Sequence, residues 1–311
     1  MRYVKGIDNK PLYMHEWRAR PERRIILVIH GMSEHGGRYE RMARYLNRAG
    51  ISVCAVDLRG FGQTLNPGDQ YGWMVDEDAF RVLMYDMQCL VIEMQKGHTA
   101  PLILMGHSMG SVIVMSFLQR RYARLEGCIL SGIPEIAPWK DLAGNVVARL
   151  QSFFISRFSP GLLHHQLSFV AWNKKFKPNR TAFDWLSRDS KEVDAYVQDP
   201  LCGGMVPVRL FSEVQQNNMF NWWGSQLKRM QRDLPLLYFA GSEDPVVGGA
   251  KGFAKQVAAF QNFMTDFHYK LYEGARHECL NETNRDEVMQ DILEFCMHTI
   301  PYIKGSKDEL Y

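Results

Sequence analysis

The sequence predicts an α/β fold in which a mostly parallel sheet is flanked by helices and interrupted by an inserted helical cap. Three observations carry this. Continuous β-branched and aliphatic runs such as Ile25 to Ile29 and Ile51 to Val56 have the character of strands buried on both faces. Apolar residues at helical spacing lie between successive runs, as the right-handed crossovers of a parallel sheet require. The alternation stops near Pro134 and resumes at Leu236, and the stretch between is rich in Phe, Trp and Met without strand rhythm.

In chain order, Val4 to Trp17 reads as a hairpin, with apolar alternation on either side of Ile7-Asp8-Asn9-Lys10. After the strand Ile25 to Ile29, Tyr39, Met42, Ala43 and Leu46 mark a helix. Ile51 to Val56 is a strand, and Ala79, Val82, Leu83, Met87, Leu90, Val91 and Met94 trace one face of a long helix. Leu102 to Met105 is the next strand, followed by a helix from Met109 to about Tyr122 and a strand from Cys128 to Leu130. Inside the insertion Val147, Leu150, Phe154 and Phe158 share one helical face. Beyond it come a strand at Leu236 to Ala240, a helix around Ala250 to Phe260 and a strand at Phe267 to Tyr272. The last helix opens at Thr283-x-x-Asp286, which has the form of a capping box. The expected organisation is a core in two parts, 1–134 and 233–304, a helical cap over 135–232 and a tail at 305–311.

Composition narrows the function classes. The chain has 311 residues, 46% hydrophobic and 23% charged, which fits a soluble globular protein with a sizeable core. Thirty-seven Lys and Arg against 34 Asp and Glu give a net charge of +3, with no basic run, so no nucleic-acid partner is expected. Six scattered cysteines without a C-x-x-C pair show neither a zinc knuckle nor a redox motif. Met1 to Gly6 lacks the apolar stretch of a secretory signal, and the expected location is cytoplasmic. Lys307-Asp308-Glu309-Leu310 spells an endoplasmic-reticulum retention signal, but Tyr311 follows it, so this end reads as a tail. From Gly97 to Gln119 there is no charged side chain, long enough for a membrane span. Pro101, Gly106 and Gly110 break it, and it reads instead as two buried elements joined by a sharp turn.

That turn holds Gly106-His107-Ser108-Met109-Gly110, a G-x-S-x-G motif between a strand and a helix. Such a turn places a serine in a strained conformation, and small flanking residues let the chain cross closely. A serine hydroxyl is a poor nucleophile until a base takes its proton and a carboxylate fixes that base. Gly241-Ser242-Glu243-Asp244-Pro245 follows the strand ending at Ala240, and Gly274-Ala275-Arg276-His277 follows the one ending near Tyr272. In a parallel sheet both loops converge on the edge that carries Ser108. The catalytic candidates are therefore Ser108, Asp244 and His277, with Glu243 and Asp266 as rivals for the acid. His30-Gly31-Met32 follows the first buried parallel strand, and the backbone N–H groups of Met32 and Met109 are the expected oxyanion hole, each donor contributing about 3 kcal/mol. His30 itself reads as a residue that shapes the loop. His164-His165 is adjacent and there is no H-E-x-x-H, so no metal is expected. Gly60-Phe61-Gly62 lacks the third glycine of a dinucleotide loop, so no cofactor is expected either.

Together, His30-Gly-Met-Ser-Glu34-His35-Gly-Gly-Arg38-Tyr39, Asp57-Leu-Arg-Gly60-Phe-Gly62, the Ser108 motif, Gly241-Ser-Glu-Asp244-Pro245 and His277 resemble the monoglyceride lipase and lysophospholipase family of α/β-hydrolases. The likeness covers nearly the whole core. It implies carboxylic-ester hydrolysis by a Ser108–Asp244–His277 triad through an acyl-enzyme on Ser108, with an acyl-binding tunnel under the cap. Family members often carry D-x-x-G-H-G-x-S where this chain has Phe61 and Thr64. Asn173 to Phe176, Arg188-Asp189 and Asp199 to Gly203 resemble bacterial lysophospholipases of the family. The resulting expectation is a serine esterase or lipase acting on monoacylglycerol or lysophospholipid, with a small-molecule lipid or ester as partner and peripheral membrane contact through the cap. A small-ester carboxylesterase, an aminopeptidase-like amidase and a catalytically silent ligand binder remain open, as do head group, chain length and oligomeric state.

Overall fold

The computed structural model describes residues 2–75, 78–135 and 161–299. Eight strands form one sheet: β1 (Arg2–Lys5), β2 (Pro11–Trp17), β3 (Arg24–Ile29), β4 (Ile51–Val56), β5 (Leu102–His107), β6 (Gly127–Ser131), β7 (Leu236–Gly241) and β8 (Phe267–Tyr272). Their order is β1-β2-β4-β3-β5-β6-β7-β8. The first two strands form the expected hairpin and β2 pairs antiparallel with β4, while β3 to β8 run parallel. Every residue of β3, β4, β5, β6 and β7 is buried, which is why these strands read as unbroken apolar runs. Strand β8 is an edge and is largely exposed.

Helices cover both faces. Helix α1 (Glu40–Asn47) and α9 (Arg285–Glu294) pack on one, through residues such as Met42, Leu46, Val288 and Ile292 against Ile26 and Val28. Helices α2 (Ala79–Gly97), α3 (Met109–Arg120) and α8 (Gly249–Gln261) pack on the other, against Leu27, Cys54 and Leu104. The charge-free stretch is thus β5 and α3, both internal, and among the described residues no helix is long and apolar enough to cross a membrane. The last helix starts one residue later than its sequence suggests, with Asn284 at the N-cap and no side-chain cap bond. Thr283 is held outside the helix because its N–H donates to the fully buried Glu282 carboxylate (2.9 Å). Asp286 and Glu287 complement the dipole of the first turn instead.

Between β6 and β7 the described chain, from residue 161 onward, consists of helices joined by irregular segments. Helix α4 begins at Leu162–His165 and passes through a π-helical turn, Gln166–Val170, into Ala171–Lys174. It is followed by α5 (Ser190–Gln198), α6 (Val208–Asn221) and the single turn α7 (Gly224–Leu227). The helical face expected at Val147 to Phe158 and the tail 305–311 lie outside the described residues. Asn221 fastens α6 to α3: it accepts from Ser116 Oγ (2.8 Å), donates to Val112 O (2.9 Å), and its carbonyl accepts from Gln119 (2.9 Å).

The close crossing at the start of α3 depends on two glycines. A Cβ on Gly106 would lie 2.6 Å from the Gly110 carbonyl oxygen, and one on Gly110 would fall on the carbonyl oxygen of Ile29 in β3. Backbone cannot give way as a flexible side chain can. Gly110→Ala should therefore lower stability by about 2–3 kcal/mol or more in chemical unfolding, and an unchanged unfolding midpoint would contradict this contact.

Candidate active site

Strand β5 delivers the chain to Ser108 at φ 52° and ψ −117°, and α3 begins at the next residue. A side chain at such a backbone geometry costs about 1–3 kcal/mol, so the surroundings must hold it. The Ser108 N–H donates to Ser131 O (2.8 Å), and Ser111 Oγ donates to the carbonyls of Gly106 (2.7 Å) and Ser131 (2.9 Å). The Ser108 side chain itself lines a cavity.

Asp244, on the loop after β7, is fully buried. Its Oδ1 accepts from the N–H of Val246 (2.8 Å), and its Oδ2 accepts from His277 Nδ1 (2.8 Å). A carboxylate only accepts, so Nδ1 carries the proton and Nε2 is left as the basic nitrogen of a ring that lines the same cavity as Ser108. Burial alone would pull the His277 pKa down, but the charge and hydrogen bond of Asp244 outweigh it and the net shift is upward. Neither rival acid reaches His277. Glu243 turns out to an ion pair with Lys175 (3.0 Å), and Asp266 pairs with His268 (2.9 Å) on the surface. His107 lies beside His277, ring centroids 4.7 Å apart, and burial together with the His277 charge lowers its pKa to about 4, which keeps it neutral.

The loop after β3 carries Met32. No hydrogen bond is made by the backbone N–H of Met32 or Met109 among the described residues. His30 is buried with both ring nitrogens engaged, one at Gly31 O (2.7 Å) and the other accepting from Leu58 N–H (3.0 Å), so it shapes the loop as expected. Glu34 Oε1 accepts from Gly31 N–H (2.6 Å) and the Tyr39 hydroxyl (3.0 Å). The Arg38 guanidinium reaches the other Glu34 oxygen (2.9 Å) and grips Glu278 at both oxygens (2.5 and 2.7 Å). Burial alone would push the Glu34 carboxyl up; the Arg38 guanidinium foremost, with the Gly31 N–H bond, holds it well below the usual carboxylate range.

The insertion supplies further support. Trp185 stacks at a tilt against His277, ring centroids 5.2 Å apart, and its carbonyl accepts from the His277 N–H (3.4 Å). Leu186 O accepts from Glu278 N–H (2.8 Å). Ser33, in a left-handed conformation at φ 61°, is gripped through its carbonyl by Tyr196 OH (2.8 Å) and Gly203 N–H (2.9 Å). The cavity holds about 830 Å³. Phe169, Trp172, Trp185 and Phe211 from the insertion form much of its wall, in one apolar cluster with Met32 and Val246. Among the described residues three groups of His, Cys and carboxylate side chains are close enough to share a metal ion, and none includes Asp244 or His277.

The structure thus brings together Ser108, His277 and Asp244, with Met32 and Met109 beside the serine. Sequence reasoning passed over Glu34, Arg38, Glu278 and Trp185 as individual residues. Glu34 and Arg38 stand inside the motif that carried the resemblance, and Glu278 adjoins His277, whereas no pattern marks Trp185.

The human monoglyceride lipase is 29% identical over 285 residues, covering 88% of this chain and 82% of that protein. The monoacylglycerol lipase of Mycolicibacterium smegmatis is 28% identical over 276 residues, covering 87% and 86%. Among solved structures, a thermostable carboxyl esterase from Bacillus coagulans superposes with a TM-score of 0.85 at 23% identity, over 94% of this chain and 96% of that one. A monoglyceride lipase from Saccharomyces cerevisiae gives 0.75 at 21% identity, over 97% and 95%. The fold is that of the α/β-hydrolases. The profile of the serine aminopeptidase S33 family matches residues 20–284, and the chain belongs to that family.

Proposed function

We propose that this chain is a serine carboxylic-ester hydrolase that cleaves monoacyl lipids through an acyl-enzyme on Ser108. The observation that carries the reading is the 830 Å³ cavity, walled by aromatic and aliphatic side chains, into which Ser108 and His277 both face. That volume suits a small-molecule site, and burying an acyl chain there gains roughly 0.8 kcal/mol per CH₂. The lipase names of the human and mycobacterial relatives support the same substrate class.

In this mechanism Ser108 Oγ attacks the ester carbonyl as its proton passes to His277 Nε2, and Asp244 stabilises the imidazolium. The N–H groups of Met32 and Met109 receive the oxyanion. Collapse breaks the ester bond, and His277 gives its proton to the leaving alcohol. Water, activated by the same ring, then splits the acyl-enzyme and frees the fatty acid and Ser108. Residues 135–232 serve as a cap on the core 1–134 and 233–304. Its aromatic side chains in the cavity wall support that division, and peripheral membrane contact would be made through it. Six free cysteines support a reducing, cytoplasmic setting.

With glycerol esters from acetyl to dodecanoyl, kcat/KM should climb by up to about fourfold per added CH₂. Ser108→Ala should lose up to ~10⁶ in kcat and all labelling by a fluorophosphonate. A flat or falling series would overturn the lipid reading, preferential cleavage of prolyl amides would favour the peptidase activity in the family's description, and an unlabelled wild type would point to a silent binder.

The His277 shift sets a pH dependence. The base must be neutral, and its pKa is raised above the ordinary 6.5. The acid limb of kcat/KM should therefore have its midpoint above 6.5, with activity lost as pH falls through it. In Asp244→Asn, measured on whatever activity remains, that midpoint should move to lower pH. A wild-type midpoint below the ordinary histidine value would contradict the Asp244–His277 pairing.

A further inference from the structure

We propose that Glu16, Cys54 and His98 form a binding site for a zinc-type divalent transition-metal ion, separate from the hydrolytic centre. Glu16 in β2 and Cys54 in β4 are direct cross-strand partners, so their side chains share a face of the sheet. His98 follows the end of α2 on that face. Glu16 Oε1 lies 3.9 Å from Cys54 Sγ and 3.6 Å from His98 Nε2, and all three donor atoms fall within 4.8 Å of one another. A tetrahedral ion with bonds of about 2.0–2.3 Å keeps its donors roughly 3.3–3.8 Å apart, so both Glu16 separations already match this spacing and the Cys54–His98 pair has at most about 1 Å to close.

The histidine itself points to a ligand. Its side chain is 1% exposed, and Nδ1 faces both oxygens of Glu22 at 2.8 and 3.0 Å. A carboxylate accepts, so a proton sits on Nδ1, and a metal would take the lone pair of Nε2. That Nε2 is buried without a hydrogen-bond partner and looks toward another carboxylate. An ion between them would remove this conflict, and a carboxylate fixing the far nitrogen is the usual support of a metal-bound imidazole. Sulfur, nitrogen and oxygen donors together select zinc-type ions over calcium or magnesium. Glu16 Oε1 also accepts from Arg18 Nε (2.9 Å), and Arg2 stands 3.8 Å from Oε2, so one carboxylate would bridge guanidinium and metal. Cys54 binds a metal as the thiolate, so uptake expels the thiol proton and tightens as pH rises. The other histidine-containing clusters lack such an orphan: His35 already donates to Asp199 (2.9 Å) while accepting from Gly37 N–H (3.1 Å), and His15 pairs with Asp57 (3.0 Å).

The ion would tie β2, β4 and the α2–β5 connection together, so the test reads binding and stability. The full-length chain, stripped with a chelator, is titrated with Co²⁺ and then Zn²⁺. The expected result is a thiolate-to-cobalt charge-transfer band that Zn²⁺ bleaches, proton release on binding, and a melting temperature raised by Zn²⁺. Cys54→Ser should abolish the band and Cys202→Ser should keep it. Glu22→Gln should weaken binding by about 10–100-fold, as loss of a carboxylate behind a ligating histidine does. If Cys54→Ser does not fold, the Glu22→Gln and Glu16→Gln affinities decide. No band and no thermal shift in the wild type, a band that survives Cys54→Ser, or unchanged affinity in both glutamate variants would overturn the site and leave a histidine packed between Glu16 and Glu22.

Discussion

The approach of α3 to β3 at Gly110 is the contact on which the rest of the site rests. Because no side chain separates the helix from the Ile29 carbonyl, the first turn of α3 sits directly beside the loop that leaves β3. Two unpaired backbone N–H groups, at Met32 and Met109, are brought near the serine by that proximity, and the N-terminal end of the helix dipole favours negative charge there. The cost is met locally. Ser108 is held at positive φ by its own N–H bond to Ser131 and by the two bonds of Ser111.

A second constraint works through charge. Arg38 holds Glu34 and Glu278 at once, and all three are buried or nearly so. Taking such charges out of water is expensive unless every donor and acceptor is used. Here they are used to connect two loops remote in sequence: Glu34 fixes Gly31 just ahead of Met32, and Glu278 directly follows His277. The relative placement of His277 and the Met32 backbone is thereby set by one guanidinium.

Legibility in the sequence followed the physics of each element. Ile51 to Val56 matched its strand to the residue because a strand buried on both faces writes itself as an unbroken apolar run. Ser108, Asp244 and His277 were readable because each follows a strand in a glycine-marked loop. Edge strand β8 was found although it is mostly exposed, through its aromatic residues. The start of α9 was misread because Thr283 serves the buried Glu282 rather than the helix. Trp185 left no trace, since its contact with His277 depends on a fold-back of irregular chain with no periodicity. The same holds for Glu16, Cys54 and His98, which come from three separate elements.

The insertion is not a loose cover. Its backbone carbonyls at Trp185 and Leu186 take the N–H groups of His277 and Glu278, and its Tyr196 and Gly203 hold Ser33. Exchanging this segment for that of a relative would therefore transplant scaffolding for the base and for the β3 loop along with the cavity wall. Substrate preference and catalytic competence are inherited here as a single unit, and a graft that preserves one must carry the hydrogen-bonding partners of the other.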